Sequence, residues 1–240
     1  YTSASLANNE LVARKPPFQV LKDFAPVTLV NTLPGYLIIV GNAVPARSVK
    51  ELIDLSKRQP LHLGSSGTGN SQHLLGELIN TRTGAKMVHV PYKGFALIIN
   101  AVLGNEIQVA FGSPTTVAQH IKAGRLRALA YTGAKRFAGM PDLPILSEAG
   151  IPGMVYEASW HGIFAPAATP APLVSRIQSE VRKAVHAPRV AGFFNESGHV
   201  PHGSSPEEFR KFVAKYLKDT DAQLAVAKEE RQEPLQPPVA

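Results

Sequence analysis

Cysteine is absent from the 240 residues, which excludes disulfides, thiolate metal sites and cysteine nucleophiles. It does not by itself assign a compartment. Long apolar runs are missing too: no stretch reaches the roughly 18 residues that a membrane-crossing helix needs, so direct membrane insertion is not expected. Clustered charge is also lacking. The formal net charge is +7, yet the basic residues are scattered, as at Lys50, Lys57, Arg58, Lys122, Arg125, Arg127, Lys135 and Arg136, with no aromatic signature of an RNA binder. Nucleic acid is therefore not an expected partner. The charge reads as a solvated surface, with steering of anionic solutes as the functional alternative. The first residue is Tyr1 rather than methionine, so targeting information is silent in either direction.

Of the residues present, 44% are hydrophobic and 18% charged, enough for one large core or two modest ones. From Leu37 onward, short β-branched runs alternate with helical ones. "YLIIV" (36–40), "LHLG" (61–64), "KMVHV" (86–90), "IQVAF" (107–111) and "LRALAYT" (126–132) read as strands. Between them, 48–59, the segment carrying Leu74, Leu75, Leu78 and Ile79, 95–104 and 114–124 read as helices. That order implies a parallel sheet wrapped by helices, with loops at the carboxyl ends of the strands free to bind a ligand. The flanks differ. Residues 160–165 predict one strand, followed by helices over 171–186, 188–197 and 205–230. Their apolar positions, such as Phe209, Phe212, Val213 and Leu217, need cover, and residues 1–35 offer at most two strands. The expectation is a second α/β domain whose amino-terminal part is absent or supplied by another chain. The tail "EPLQPPVA" has little to bury and is expected to be disordered.

The most informative stretch is "LGSSGTGNSQHLLGEL" (63–78). A P-loop needs a lysine and a hydroxyl residue after its last glycine, but Asn70 and Ser71 follow Gly69. The dinucleotide fingerprint fails because Gln72 occupies its third glycine position. A nucleophile elbow fails because Thr68 stands two residues after Ser66. What remains is a strand, a glycine-rich turn and a helix start: free N–H groups, the positive end of the helix dipole, and the hydroxyls of Ser65, Ser66, Thr68 and Ser71. Such a site holds an anion without a full positive charge and suits a carboxylate; plain helix capping is the structural alternative.

Eight histidines invite enzyme readings. His199 and His202 are three apart, but Pro201 and Gly203 put them in a loop with no third ligand nearby. His73 lies beside the anion site; His161, next to Trp160, reads as hinge packing. Asp54, Glu77 and Glu106 are too widely placed for an acid/base pair. No catalytic residue, metal site or cofactor is expected. An α/β enzyme acting on an acyl or phosphoryl substrate through Ser66 or His73 stays open as the alternative, as does a receptor for a signalling partner.

Taken together, "KDFAPVTLV" (22–30), "GSSGTGNSQHLLGEL" (64–78), "VHVPYKG" (88–94), "IKAGRLRALAYTGAKR" (121–136), "MPDLPILSEAGIPG" (140–153) and "SWHGIFAPAATPAPLV" (159–174) resemble the Bug family. These are TctC-like periplasmic solute-binding receptors of tripartite tricarboxylate transporters. The resemblance implies a two-domain, periplasmic-binding-protein-like α/β fold with parallel-sheet domains and a hinge, closing on a ligand like a Venus flytrap. It places residues 1–37 plus 159–240 in a first domain lacking its amino-terminal β-α units, and 38–158 in the second. It further implies a periplasmic location, a dicarboxylate, tricarboxylate or aromatic acid as ligand, and membrane transporter subunits as partners. By the same resemblance the ligand-facing positions are Thr2, Ser3 and Ser5 in a first-domain loop, Ser65, Ser66, Thr68, Gly69, Asn70 and His73, Tyr92 and Lys93 in the "PYKG" loop, and Ser113. Gly112 stands where relatives carry an aspartate, which disfavours an α-amino acid.

Overall fold

The computed structural model describes residues 1–12 and 15–229; the tail expectation at 233–240 falls outside them. Along the chain, β1 (Thr2–Ser3), α1 (Ser5–Val12), α2 (Val20–Asp23) and β2 (Phe24–Leu33) come first. Then follow β3 (Leu37–Gly41), α3 (Val49–Arg58), β4 (Leu61–Ser65), α4 (Ser71–Thr83), β5 (Met87–Pro91), α5 (Phe95–Leu103), β6 (Val109–Gly112), α6 (Pro114–Lys122) and β7 (Leu126–Tyr131). The chain continues through β8 (Ser159–Pro166), α7 (Ala171–His186), α8 (Pro188–Glu196), β9 (Val200–Pro201) and α9 (Pro206–Glu229). Two compact units result, one from Tyr1–Leu33 with Ser159–Gln223, the other built on Pro34–Ala158.

The Pro34–Ala158 unit holds a five-stranded sheet in the order β5-β4-β6-β3-β7. β4 runs parallel to β5 and to β6, whereas β3 is antiparallel to both β6 and β7. The sheet is therefore mixed, not parallel throughout. The alternating strand and helix pattern fixes crossovers after β4, but β3 precedes them, and its fully buried run Leu37–Gly41 suits a central strand in either direction. The start of α3 is written locally. Ser48 Oγ accepts from the Glu51 amide (3.2 Å) while Glu51 accepts from the Arg47 amide (2.7 Å), a reciprocal cap for α3. Gly84, at φ 66, closes α4 in the left-handed region. The apolar faces of α5 and α6 meet the sheet through Ile98, Val102 and Val117, all buried against Leu37, Ile39 and Ala110.

The other unit is a four-stranded sheet, β1-β8-β2-β9, paired antiparallel throughout, again in place of the expected parallel arrangement. The residues read as a loop at its start are regular: Thr2 and Ser3 form β1, and Ser5 opens α1. Two asparagines inside an eight-residue helix hide it from periodicity. β9, only two residues long, is not legible either. Trp160, 2% exposed, is the hub of this unit, with Phe209, Phe212 and Tyr216 packed edge-on around it. Ala4, Ala7, Val20 and Leu29 complete the core, in which Phe209 and Val213 of α9 are buried with Phe212, Tyr216 and Leu217 packed against them. Gly162 permits this: a Cβ there would fall 2.1 Å from Phe209 Cζ.

Candidate functional site

Because β4, β5 and β6 run parallel, their carboxyl ends share one edge of the sheet, and three loops gather there: 65–70, 92–94 and 112–113. The Tyr92 amide donates to the Ser65 carbonyl at 2.8 Å, joining the first two. Register pairs Gly64 with Ala110, so the two neighbouring strands deliver Ser66 and Gly112 to the same edge.

The glycine loop is wired mostly to itself and to residues far along the chain. Gln72, buried, accepts from the Ser66 amide (2.9 Å) and donates to the Phe111 carbonyl (2.6 Å). Ser65 is fully buried; its Oγ accepts from the Gly67 amide (3.2 Å), donates to the Gly67 carbonyl (2.9 Å) and lies 2.6 Å from His89 Nε2. The His89 ring packs against His73 with centroids 4.0 Å apart and the planes tilted by 30°, and His73 Nδ1 accepts from the Gly69 amide (3.0 Å). Asn70 caps α4 by accepting from the His73 amide (2.9 Å). Burial holds the His89 pKa below the usual histidine value, so its ring is neutral near pH 7.

Behind the helix start stands a bracket built on Thr132. Its Oγ1 accepts from the Tyr36 amide (2.8 Å) and donates to the Tyr156 carbonyl (2.9 Å). The two tyrosines converge on Ser71: Tyr36 Oη meets Ser71 Oγ at 3.0 Å, and Tyr156 Oη donates to the Ser71 carbonyl at 2.8 Å. Burial pushes the Tyr36 hydroxyl up to about 12, which keeps it protonated and able to hold this contact.

After these assignments the N–H groups of Thr68, Ser71 and Gln72 have no acceptor among the described residues. They stand at the positive end of α4 beside the exposed side chains of Ser66 and Thr68. Residues 65–73 contain no cation other than what His73 would carry if protonated, and Lys93 in the next loop is exposed. The edge is thus a cradle of neutral donors for an anion with two or three acceptor lone pairs. Of the sequence-predicted residues, it gathers Ser65, Ser66, Thr68, Gly69, Asn70, His73, Tyr92, Lys93 and Ser113 along one edge. Ser65 and the Gly69 amide are spent on internal bonds. Ser113 Oγ bonds Thr116 Oγ1 at 2.9 Å. Burial first, then the charge of Glu106, raises the Tyr92 pKa, leaving its hydroxyl a neutral donor. Thr2, Ser3 and Ser5 belong to the other unit, where Thr2 and Ser3 pair with Gly162 and His161 and Ser3 Oγ donates to Ser5 Oγ (3.2 Å).

A family profile described as tripartite tricarboxylate transporter family receptor, TctC, matches residues 2–226. The chain belongs to that family. Among curated relatives it is 32% identical over 209 residues to a UPF0065 protein encoded between tcbD and tcbE in Pseudomonas sp. strain P51, covering 85% of this chain and 61% of the relative. BugT of Bordetella pertussis is 30% identical over 216 residues, 89% of this chain and 65% of its own. The chain therefore spans less than two thirds of these relatives. Solved structures agree on the fold. Periplasmic binding protein BugD superposes with a TM-score of 0.86 at 26% identity, over 94% of this chain and 76% of its own. R. palustris Rpa4515, solved with adipate, gives 0.85 at 29% over the same shares. The α/β fold is that of this receptor family's periplasmic binding proteins.

Sequence reasoning missed Gln72, His89, Tyr36, Tyr156 and Thr132. His89 left a trace, being the polar residue in the alternating run "MVHV" (87–90). The histidines singled out elsewhere serve the antiparallel unit. His161 Nδ1 bonds Asn31 Oδ1 (2.9 Å) and its ring stacks on Tyr1. His202 Nε2 bonds Thr32 Oγ1 (2.9 Å), and His199 Nδ1 bonds Ser197 Oγ (3.0 Å). No group of three or more potential metal ligands occurs among the described residues.

Proposed function

We propose that this protein is a periplasmic receptor that captures a small carboxylate and delivers it to a membrane transporter, without catalysing a reaction. The observation that carries the reading is the trio of free N–H groups at Thr68, Ser71 and Gln72, flanked by hydroxyls and no cation. Micromolar capture corresponds to about 8 kcal/mol, and hydrogen bonds to a charged group contribute about 1.5–3 kcal/mol each, so four or five aimed donors suffice. Adipate in the Rpa4515 structure supports a dicarboxylate. Acyl transfer is disfavoured because the serine nearest a histidine, Ser65, is fully buried with its Oγ occupied by Gly67. An α-amino acid is disfavoured because residues 65–73, 91–95 and 112–116 contain no Asp or Glu to receive an ammonium.

The test is calorimetric titration with adipate, succinate, citrate, benzoate and aspartate, followed by chromatography of the recovered ligand. Binding of an unsubstituted carboxylate that returns chemically unchanged is expected. Conversion of the ligand, or binding of none of these acids, overturns the reading.

A further inference from the structure

Gly112 ends β6 at the same sheet edge as Ser66, and the structure fills the space above it in an unusual way. A Cβ on Gly112 would lie 2.6 Å from Val117 Cγ1 and 2.8 Å from Phe95 Cζ. The tip of the Phe95 ring therefore rests on the backbone at the carboxyl end of β6. Phe95 is the first residue of α5, launched by Gly94, whose φ of 132 takes the chain through a conformation that side chains other than hydrogen rarely adopt. Its ring is half-buried: one part covers the core beneath α5 and α6, the remainder is open to solvent. Gln72 ties this place to the anion cradle, since one amide side chain bonds both Ser66 and Phe111, the residue before Gly112.

From this juxtaposition we infer that Phe95 is a specificity-determining residue, a platform for the apolar body of the ligand whose carboxylate occupies the Thr68, Ser71 and Gln72 amides. The inference rests on the receptor reading and narrows its ligand class. A hydrocarbon chain leaving the cradle towards β6 meets an aromatic face, with Val117 beneath it and no acid or cation on 94–97 or 112–117. The contact rewards methylene groups and offers nothing to hydroxyl or amino substituents, which would lose water without gaining a partner. Ligands with a longer apolar spacer are therefore preferred over short ones, and bare spacers over substituted ones.

The experiment titrates wild type, Phe95→Ala and Phe95→Leu with succinate and with adipate, which differ by two methylenes. Each methylene buried against the ring corresponds to about a fourfold change in affinity, so wild type should favour adipate by roughly fifteenfold. Phe95→Ala should bring the adipate-to-succinate ratio close to one, and Phe95→Leu, which keeps an apolar surface, should retain most of it. The ratio is insensitive to partial unfolding, because both ligands meet the same folded fraction. An unchanged ratio in Phe95→Ala, or no preference for adipate in wild type, overturns the inference while leaving the receptor reading intact. Failure of wild type to bind either acid overturns the inference, and it overturns the receptor reading too only when citrate, benzoate and aspartate also fail to bind.

Discussion

Replacing Gln72 with glutamate keeps size and shape and removes one proton donor. Gln72 accepts from the Ser66 amide at 2.9 Å and donates to the Phe111 carbonyl at 2.6 Å, with 6% of the residue exposed. In the Gln72→Glu variant an ionised carboxylate still accepts from Ser66 but faces the Phe111 carbonyl oxygen with a bare oxygen. A buried acceptor left without a donor costs about 1–3 kcal/mol, and the buried charge adds to that, offset by roughly 0.3–1 kcal/mol from the positive end of α4. The expected loss is about 2–4 kcal/mol near neutral pH. The protonated carboxyl, in contrast, donates to Phe111 and replaces the amide almost without penalty.

The sign of the pH dependence follows. Folding raises the pKa of the introduced carboxyl above its unfolded value of about 4.3, because only the protonated form satisfies both neighbours. The variant should match wild type below the unfolded pKa, and its deficit should grow as pH rises through the raised value. Urea unfolding of both proteins at pH 4.5 and 7.5, followed by far-ultraviolet circular dichroism, measures the difference at each pH. The single tryptophan, Trp160, lies in the other unit, so its fluorescence separately reports the part of the molecule the substitution does not touch. Equal stability of variant and wild type at pH 7.5, or a deficit larger at pH 4.5, would refute the wiring assigned to Gln72.

Gly162→Ala places a methyl group 2.1 Å from Phe209 Cζ; overpacking of about 1–3 kcal/mol should lower the melting temperature and shift Trp160 emission, and unaltered emission would contradict the packing described. Lys93→Met should weaken carboxylate capture by less than about fivefold, because an exposed ammonium is screened by solvent; a hundredfold loss in titration would make the site an ion pair. In the antiparallel unit, burial and the neighbouring His199 depress the His161 pKa, and burial depresses that of His199. Folding thus favours neutral rings, so stability is full above the ordinary histidine value of about 6.5 and falls as pH drops through the depressed values. His161→Gln should flatten that decline in urea titrations read by Trp160 fluorescence; an identical slope would show that the protons bind elsewhere.

Legibility in the sequence follows the distance over which each signal acts. The alternation of strands and helices from Leu37 to Tyr131 is plain, because a buried strand and an amphipathic helix each announce themselves within about ten residues. Strand direction is not, since β3 looks the same to its own sequence whichever way it runs. The glycine loop is visible from its small residues, whereas its wiring is hidden. Gln72 reaches Phe111 across 39 positions, Ser65 reaches His89 across 24, and Tyr156 reaches Ser71 across 85. One sequence without these pairings shows which donors exist and not which are already spent.

That distinction changes the chemistry read from the loop. Counted from the sequence, residues 65–73 supply four hydroxyls and a full set of amides; counted from the structure, Ser65, Ser71 and the amides of Ser66, Gly67 and Gly69 are committed to holding the loop's shape. What remains is fewer donors, fixed in advance, with no lysine or arginine among them. Preorganisation lowers the ordering cost of capture, while neutrality limits how tightly an anion is held. For the proposed receptor, which must surrender its ligand, this combination is favourable. At micromolar affinity and an association rate of about 10⁷ per molar per second, release takes about a tenth of a second. An arginine fork in the same place would add charge-assisted bonds of about twice the strength, and the gain in affinity would appear as slower release.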